Sequence, residues 1–144
     1  MKRVSKSDWM KLKRLIGFIQ RTIYEIRVIC ATSLTEIMSY VDSAYAVHEN
    51  MRSHTGGVVS FGIGAAHARS TTSKINVKSS TESKLVATAE YLPYTLWLRH
   101  FMEAQGYSLK DNAIYQDNKS AIFMEINGRN SCTGNSRHIN IRYF

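Results

Sequence analysis

Apolar residues first recur in this chain at steps of three and four: Trp9, Leu12, Ile16, Ile19, Ile23 and Ile26. Ser5-Lys6-Ser7-Asp8 supplies a hydroxyl cap with an acid three residues on, so the spacing predicts an amphipathic helix from there. Its end is open, because Tyr24, Ile26, Val28 and Cys30 alternate with Glu25 and Arg27 and fit a strand near 24–30 equally well. Ala31-Thr32-Ser33 reads as a linker, with a domain boundary placed there. The period then shortens to two. Residues 37–46 read as a strand with Met38, Tyr40 and Asp42 on one face. Val58–Phe61 reads as a second strand entered by Gly56-Gly57, and Gly62-Ile63-Gly64 as a turn into a partner at 65–70.

Helical spacing returns over 79–105, capped by Ser79, Ser80 or Thr81. Its expected stripe is Leu85, Val86, Ala89, Leu92, Leu96 and Trp97, with Pro93 set to kink or divide it and Gly106 closing it. A brief strand at 113–116 precedes a helix at 118–126, stopped by Asn127-Gly128. A loop is expected over 128–137, and Ile139 begins a further hydrophobic element. The order strand, strand, strand, helix, strand, helix predicts an α/β domain with a mixed sheet.

Charge changes this picture at one end. The 144 residues carry a formal net charge of +8. Residues 1–30 hold eight Lys and Arg against two acids, and the rest holds eleven against nine. Such a basic lobe favours a polyanionic partner, most simply nucleic acid, although a solvated helix face explains the charge equally well. Cys30 and Cys132 lie far apart and form no metal-ligand spacing, which fits a reducing, intracellular setting. Leu15–Ile19 is too short for a signal core or a membrane span, so no membrane partner is expected.

Three acids sit where apolar residues are expected. Asp42 interrupts the run from Tyr40 to Tyr45, Glu82 shares a helix face with Leu85, Val86 and Ala89, and Asp117 ends Ala113-Ile114-Tyr115. Singly, each has a structural reading: a strand terminator, a partner for the helix dipole, a helix cap. Together they suit oxygen ligands to hard divalent cations, and two such ions can activate a water and stabilise the leaving oxygen of a phosphodiester. Other chemistries fit worse. Residues 57–62 miss the nucleophile-elbow spacing, Gly62-Ile63-Gly64 lacks the third glycine of a dinucleotide loop, and His48, His54 and His67 have no i, i+4 pairing. Asn118-Lys119-Ser120 matches a glycosylation sequon that an intracellular chain would not use.

The segments Tyr40-Val41-Asp42-Ser43-Ala44-Tyr45 and Arg52-Ser53-His54-Thr55-Gly56-Gly57 resemble the opening of the ribonuclease H domain of copia-type retrotransposon Pol polyproteins. Lys78-Ser79-Ser80-Thr81-Glu82 is similar to that family's Ser-Ser-Thr-Glu helix start, and Asp117-Asn118-Lys119-Ser120-Ala121-Ile122 to its Asp-Asn-x-Ser-Ala-Ile element. Arg137-His138-Ile139-Asn140 resembles its Arg-x-Lys/Arg-His-Ile-Asp motif, and Asp8-Trp9 to Arg14-Leu15 the stretch joining reverse transcriptase to ribonuclease H. The resemblance implies a connecting segment at 1–33 and a ribonuclease H-like domain at 34–144, a mixed sheet flanked by helices. It implies hydrolysis of the RNA strand of an RNA–DNA hybrid, with Asp42, Glu82 and Asp117 as catalytic ligands to Mg²⁺ or Mn²⁺. Lys74, Lys78, Lys119, Arg137 and His138 are the expected contacts to the hybrid, through phosphate and 2′-OH groups. The reverse transcriptase domain of the same polyprotein is the expected protein partner.

Departures from the pattern lead to an expectation of impaired hydrolysis. The family continues past the position of Phe144 with a strand and a helix carrying a fourth acid, so the fold is expected to be incomplete at its C-terminus and marginally stable. Asn140 stands where the family has Asp, Ser73 where it has Gln, and Lys84 where a second acid often follows Glu82. Met1 inside the connecting segment suggests a reading frame from a decayed insertion. The alternative reading is an inactive nucleic-acid-binding remnant of such a polyprotein.

Overall fold

The hydroxyl-plus-acid signal at Ser5 and Asp8 is satisfied in a computed structural model that describes residues 4–128. Ser5 Oγ accepts from the Asp8 amide at 3.2 Å while the Asp8 carboxylate accepts from the Ser5 amide at 2.9 Å. Together they cap helix α1 (Lys6–Arg21). The helix ends at Thr22, before Ile23 and Ile26, and of the alternative strand near 24–30 only Cys30 is in a strand, β1 (Cys30–Ala31). No residue of α1 is buried, and Trp9, Leu12, Ile16 and Ile19 are exposed.

The body is one mixed sheet. Strands β2 (Glu36–Ala44), β3 (His54–Ser60) and β5 (Ala65–Thr72) pair antiparallel, and β6 (Asp111–Tyr115) joins β2 in parallel, giving the order β5-β3-β2-β6. A second, two-stranded pairing links β1 to β4 (Gly62–Ile63). Thr32 and Arg27 also donate to the carbonyls of Phe61 and Ala65, at 2.8 and 2.7 Å. The stretch read as a linker is thus hydrogen-bonded to the hairpin. Helix α2 (Ser80–Ala104) packs on the sheet and α3 (Lys119–Asn127) on α2. This α/β architecture, a four-stranded mixed sheet flanked by helices, is consistent with a ribonuclease H-like fold.

Strand β3 begins four residues before Val58, so Gly56-Gly57 lie inside it rather than at its entrance. Gly57 is needed there because a Cβ would overlap the ring of Tyr91, which lies on the strand. Helix α2 has the expected bounds and the Ser79 cap, and it runs through Pro93 undivided.

Its buried stripe differs from the expected one: Leu92, Leu96 and Trp97 are exposed, and the sheet-facing core comes from Ala87, Tyr91, Leu98 and Met102 with Ile37, Val41 and Val59. The helix is apolar on more than one side, so periodicity alone selects no single face. Burial of each large aliphatic side chain here stabilises by about 1.5–3 kcal/mol.

The inner face of β2 alternates Ile37, Ser39, Val41 and Ser43, all buried. Its two hydroxyls bond to α2, Ser39 to Thr95 at 3.3 Å and Ser43 to Ser83 at 2.9 Å. Buried hydroxyls are costly unless paired, so these bonds fix how far α2 slides along the strand. Among the described residues no helix is long and apolar enough to cross a membrane. Arg137, His138, Asn140, Cys132 and the elements expected after Gly128 lie outside the described residues.

Candidate functional site

Parallel pairing of β2 and β6 sets Tyr40 opposite Tyr115, their rings stacked 5.0 Å apart. Two residues beyond them come Asp42, still within β2, and Asp117, just past the end of β6, and both carboxylates reach Lys84. Both carboxylates are largely exposed, 74% and 73%, so neither lies in a buried stripe as the sequence pattern suggested. The reason is the face: Tyr40 and Asp42 point to the sheet's open side, opposite the Ile37–Val41 face that meets α2. A groove of about 800 Å³ crosses that open side, lined by Tyr40, Asp42, Val58, Ala68, Tyr115 and Asp117 among others.

Lys84 joins the two acids. Its Nζ donates to Asp42 Oδ1 at 2.7 Å and also to Asp117 Oδ1. The Lys84 side chain is only 11% exposed, so its stem is packed while its ammonium reaches the acids at the rim. The Lys84 hydrogen bond holds the Asp42 carboxyl below the usual carboxylate range; partial burial opposes that shift and the Ser43 amide, 2.7 Å away, adds to it. Burial works against the charge on Lys84, but the bonds to Asp117 and Asp42 outweigh it and raise the ammonium above its ordinary value.

Glu82, the third acid, is 4% exposed and engaged at the helix start. Its Oε2 accepts from the Lys78 amide at 2.8 Å, and its own amide donates to Ser79 Oγ at 3.2 Å. That is the arrangement of a carboxylate serving the unpaired amides and positive end of a helix. Asn118, not Asp117, caps α3, its side chain accepting from the Ala121 amide at 3.0 Å.

Lys74, Lys78 and Lys119 are exposed. Lys74 borders a second cavity with Arg69 and Thr72. His48 and His54 bond to one another at 3.0 Å and onward to Ser70 and Thr72, a polar cluster at the strand ends.

A divalent ion of the Mg²⁺ type needs several oxygen ligands and keeps water in its coordination shell. Here the point on which Asp42 and Asp117 converge is taken by an ammonium, and Glu82 Oε2 accepts from the Lys78 amide at the helix start. Among the described residues no three His, Cys, Asp or Glu are grouped so as to hold a metal ion. The residues present do not fit the metal centre that the sequence pattern suggested.

In the sequence Lys84 stands out only as a cation near Glu82. A better signal was available: Lys84, Thr88, Tyr91, Thr95, Leu98 and Met102 follow one another at steps of four and three. That row is a single face of α2, and it leads from the core to Asp42.

No family model and no solved structure matches the chain. Over 140 residues, 96% of its length, it is 26% identical to the retrovirus-related Pol polyprotein from transposon TNT 1-94 of Nicotiana tabacum. It spans about a tenth of that polyprotein's length. The similarity supports a retrotransposon Pol origin for this chain.

Proposed function

We propose that this chain is a ribonuclease H-like module of a retrotransposon Pol polyprotein that binds RNA–DNA hybrid without cutting it. The observation that carries this reading is the Lys84 ammonium bonded to both Asp42 and Asp117. Hydrolysis of the RNA strand by Mg²⁺ or Mn²⁺ held on Asp42, Glu82 and Asp117 is the activity implied by resemblance, and the bridge favours binding over it. The net charge of +8 and the exposed Lys74, Lys78 and Lys119 support contact with a polyanion. Arg137 and His138 complete the proposed contact set. In this reading residues 1–33 connect the domain at 34–144 to a reverse transcriptase domain, against which the exposed stripe of α1 packs, in an intracellular setting.

Fluorescence anisotropy of a labelled hybrid, titrated with the chain in excess chelator, tests the proposal. Binding should persist without metal and weaken with salt, log K falling with log salt at a slope of about −3 for three or four phosphate contacts. Absence of binding in chelator, or binding that appears only with Mg²⁺, would contradict it.

A further inference from the structure

The ion cluster at the end of β2 and β6 has a chemistry of its own beyond nucleic-acid binding. Three observations bear on it. The two carboxylates, one within β2 and one two residues past the end of β6, meet at one ammonium, an arrangement in which like charges repel unless a cation lies between them. The cation present is covalently part of the chain, and its stem is almost wholly packed. Its position is set from below, because Ser83 bonds to Ser43 and so places the next residue, Lys84, beside the preceding one, Asp42.

We propose that Lys84 is a built-in substitute for a divalent cation, an ammonium that neutralises Asp42 and Asp117 and shuts metal ions out of the sheet end. A tethered ammonium has an entropic advantage over a dissolved ion, since packing of its stem has already ordered it. It also supplies the wrong chemistry for a nuclease. An ammonium offers three donors and no coordination sites, so it cannot ligate a water and acidify it as a bound metal ion does. Residue 84 is therefore the specificity determinant of this site, choosing between an internal and an external cation. Replacing its positive charge with a carboxylate gives three acids around one point, the ligand type that hard cations take. The inference rests on the non-cleaving reading proposed above, yet it concerns metal alone and is tested without nucleic acid.

The experiment titrates Mn²⁺ into the full chain and follows loss of the free-ion electron paramagnetic resonance signal. Wild type is expected to take up no Mn²⁺ at this site below about 1 mM, and Lys84→Glu to bind at least about tenfold more tightly than wild type. Asp42→Asn placed in Lys84→Glu should remove that gain. Equal binding by wild type and Lys84→Glu would overturn the proposal.

A measurement on the wild type needs no folded variant: amine labelling read lysine by lysine by mass spectrometry. Lys84 should be the least labelled, and Mn²⁺ should not change its labelling. A rise in Lys84 labelling on adding Mn²⁺ would mean that the ion displaces the ammonium, and would also overturn the proposal. Failure of hybrid binding in chelator, by contrast, would strike the functional reading and leave these outcomes unchanged.

Discussion

Lys84 and Asp42 meet at 2.7 Å because their chain neighbours, Ser83 and Ser43, already bond at 2.9 Å. The buried hydroxyl pair locks the first turn of α2 to the end of β2, and the charged pair is its continuation at the surface. Ser83→Ala leaves the Ser43 hydroxyl buried without this partner. The expected loss is about 1–2 kcal/mol in urea unfolding, accompanied by increased amine labelling of Lys84. Unchanged stability and unchanged labelling would show that the serine pair does not position the lysine.

Gly57 provides a second test of how α2 sits on the sheet. A methyl group there would overlap the Tyr91 ring, whereas nothing lies within 4 Å of a Cβ placed on neighbouring Gly56. Gly57→Ala is therefore expected to destabilise by about 1–3 kcal/mol, and Gly56→Ala by much less. Thermal melts of the two variants side by side check this. Similar melting temperatures would put Tyr91 elsewhere.

The carboxyl of Glu125, half-buried beside Gln116 and Thr88, gives a prediction in pH. Burial pushes it above its ordinary value, and the hydrogen bonds from Thr88 and Gln116 only partly offset that. The folded state thus holds this proton more tightly than the unfolded chain does. Its stabilising contribution is fully present below the ordinary carboxylate range and is lost as pH rises through the raised value. Glu125→Gln keeps the neutral form at every pH. It should melt above wild type at neutral pH, with the difference vanishing near pH 3, roughly a unit below the ordinary Glu value. A variant less stable than wild type at neutral pH would contradict the assignment.

Much of the fold was readable from local signals that packing did not contradict. The cap at Ser79 and the end of α2 near Gly106 rest on short-range hydrogen bonding, and tertiary contacts left them in place. The alternation through Tyr40 and Asp42 was equally clear, but alternation does not say which face is covered. The covered face carries Ser39 and Ser43, whose hydroxyls look polar in a sequence and are satisfied only across the interface. For the same reason helical spacing assigns Leu92, Leu96 and Trp97 to the core although they are exposed. Asp42 and Asp117 could be paired by motif and strand period. The helical row from Met102 to Lys84 was visible in the sequence, but its meeting with Asp42 depends on the slide of α2 along β2, which the Ser43–Ser83 bond sets.

An internal ammonium in the place of a catalytic metal leaves the chain unable to cut RNA. This is tested by incubating an end-labelled RNA–DNA hybrid with the purified chain in Mg²⁺, in Mn²⁺ and in chelator, with Asp42→Asn alongside. Intact RNA is expected in every lane while the hybrid stays bound. Metal-dependent cutting by wild type that disappears in Asp42→Asn would contradict it, and would mean that the metal ion displaces Lys84.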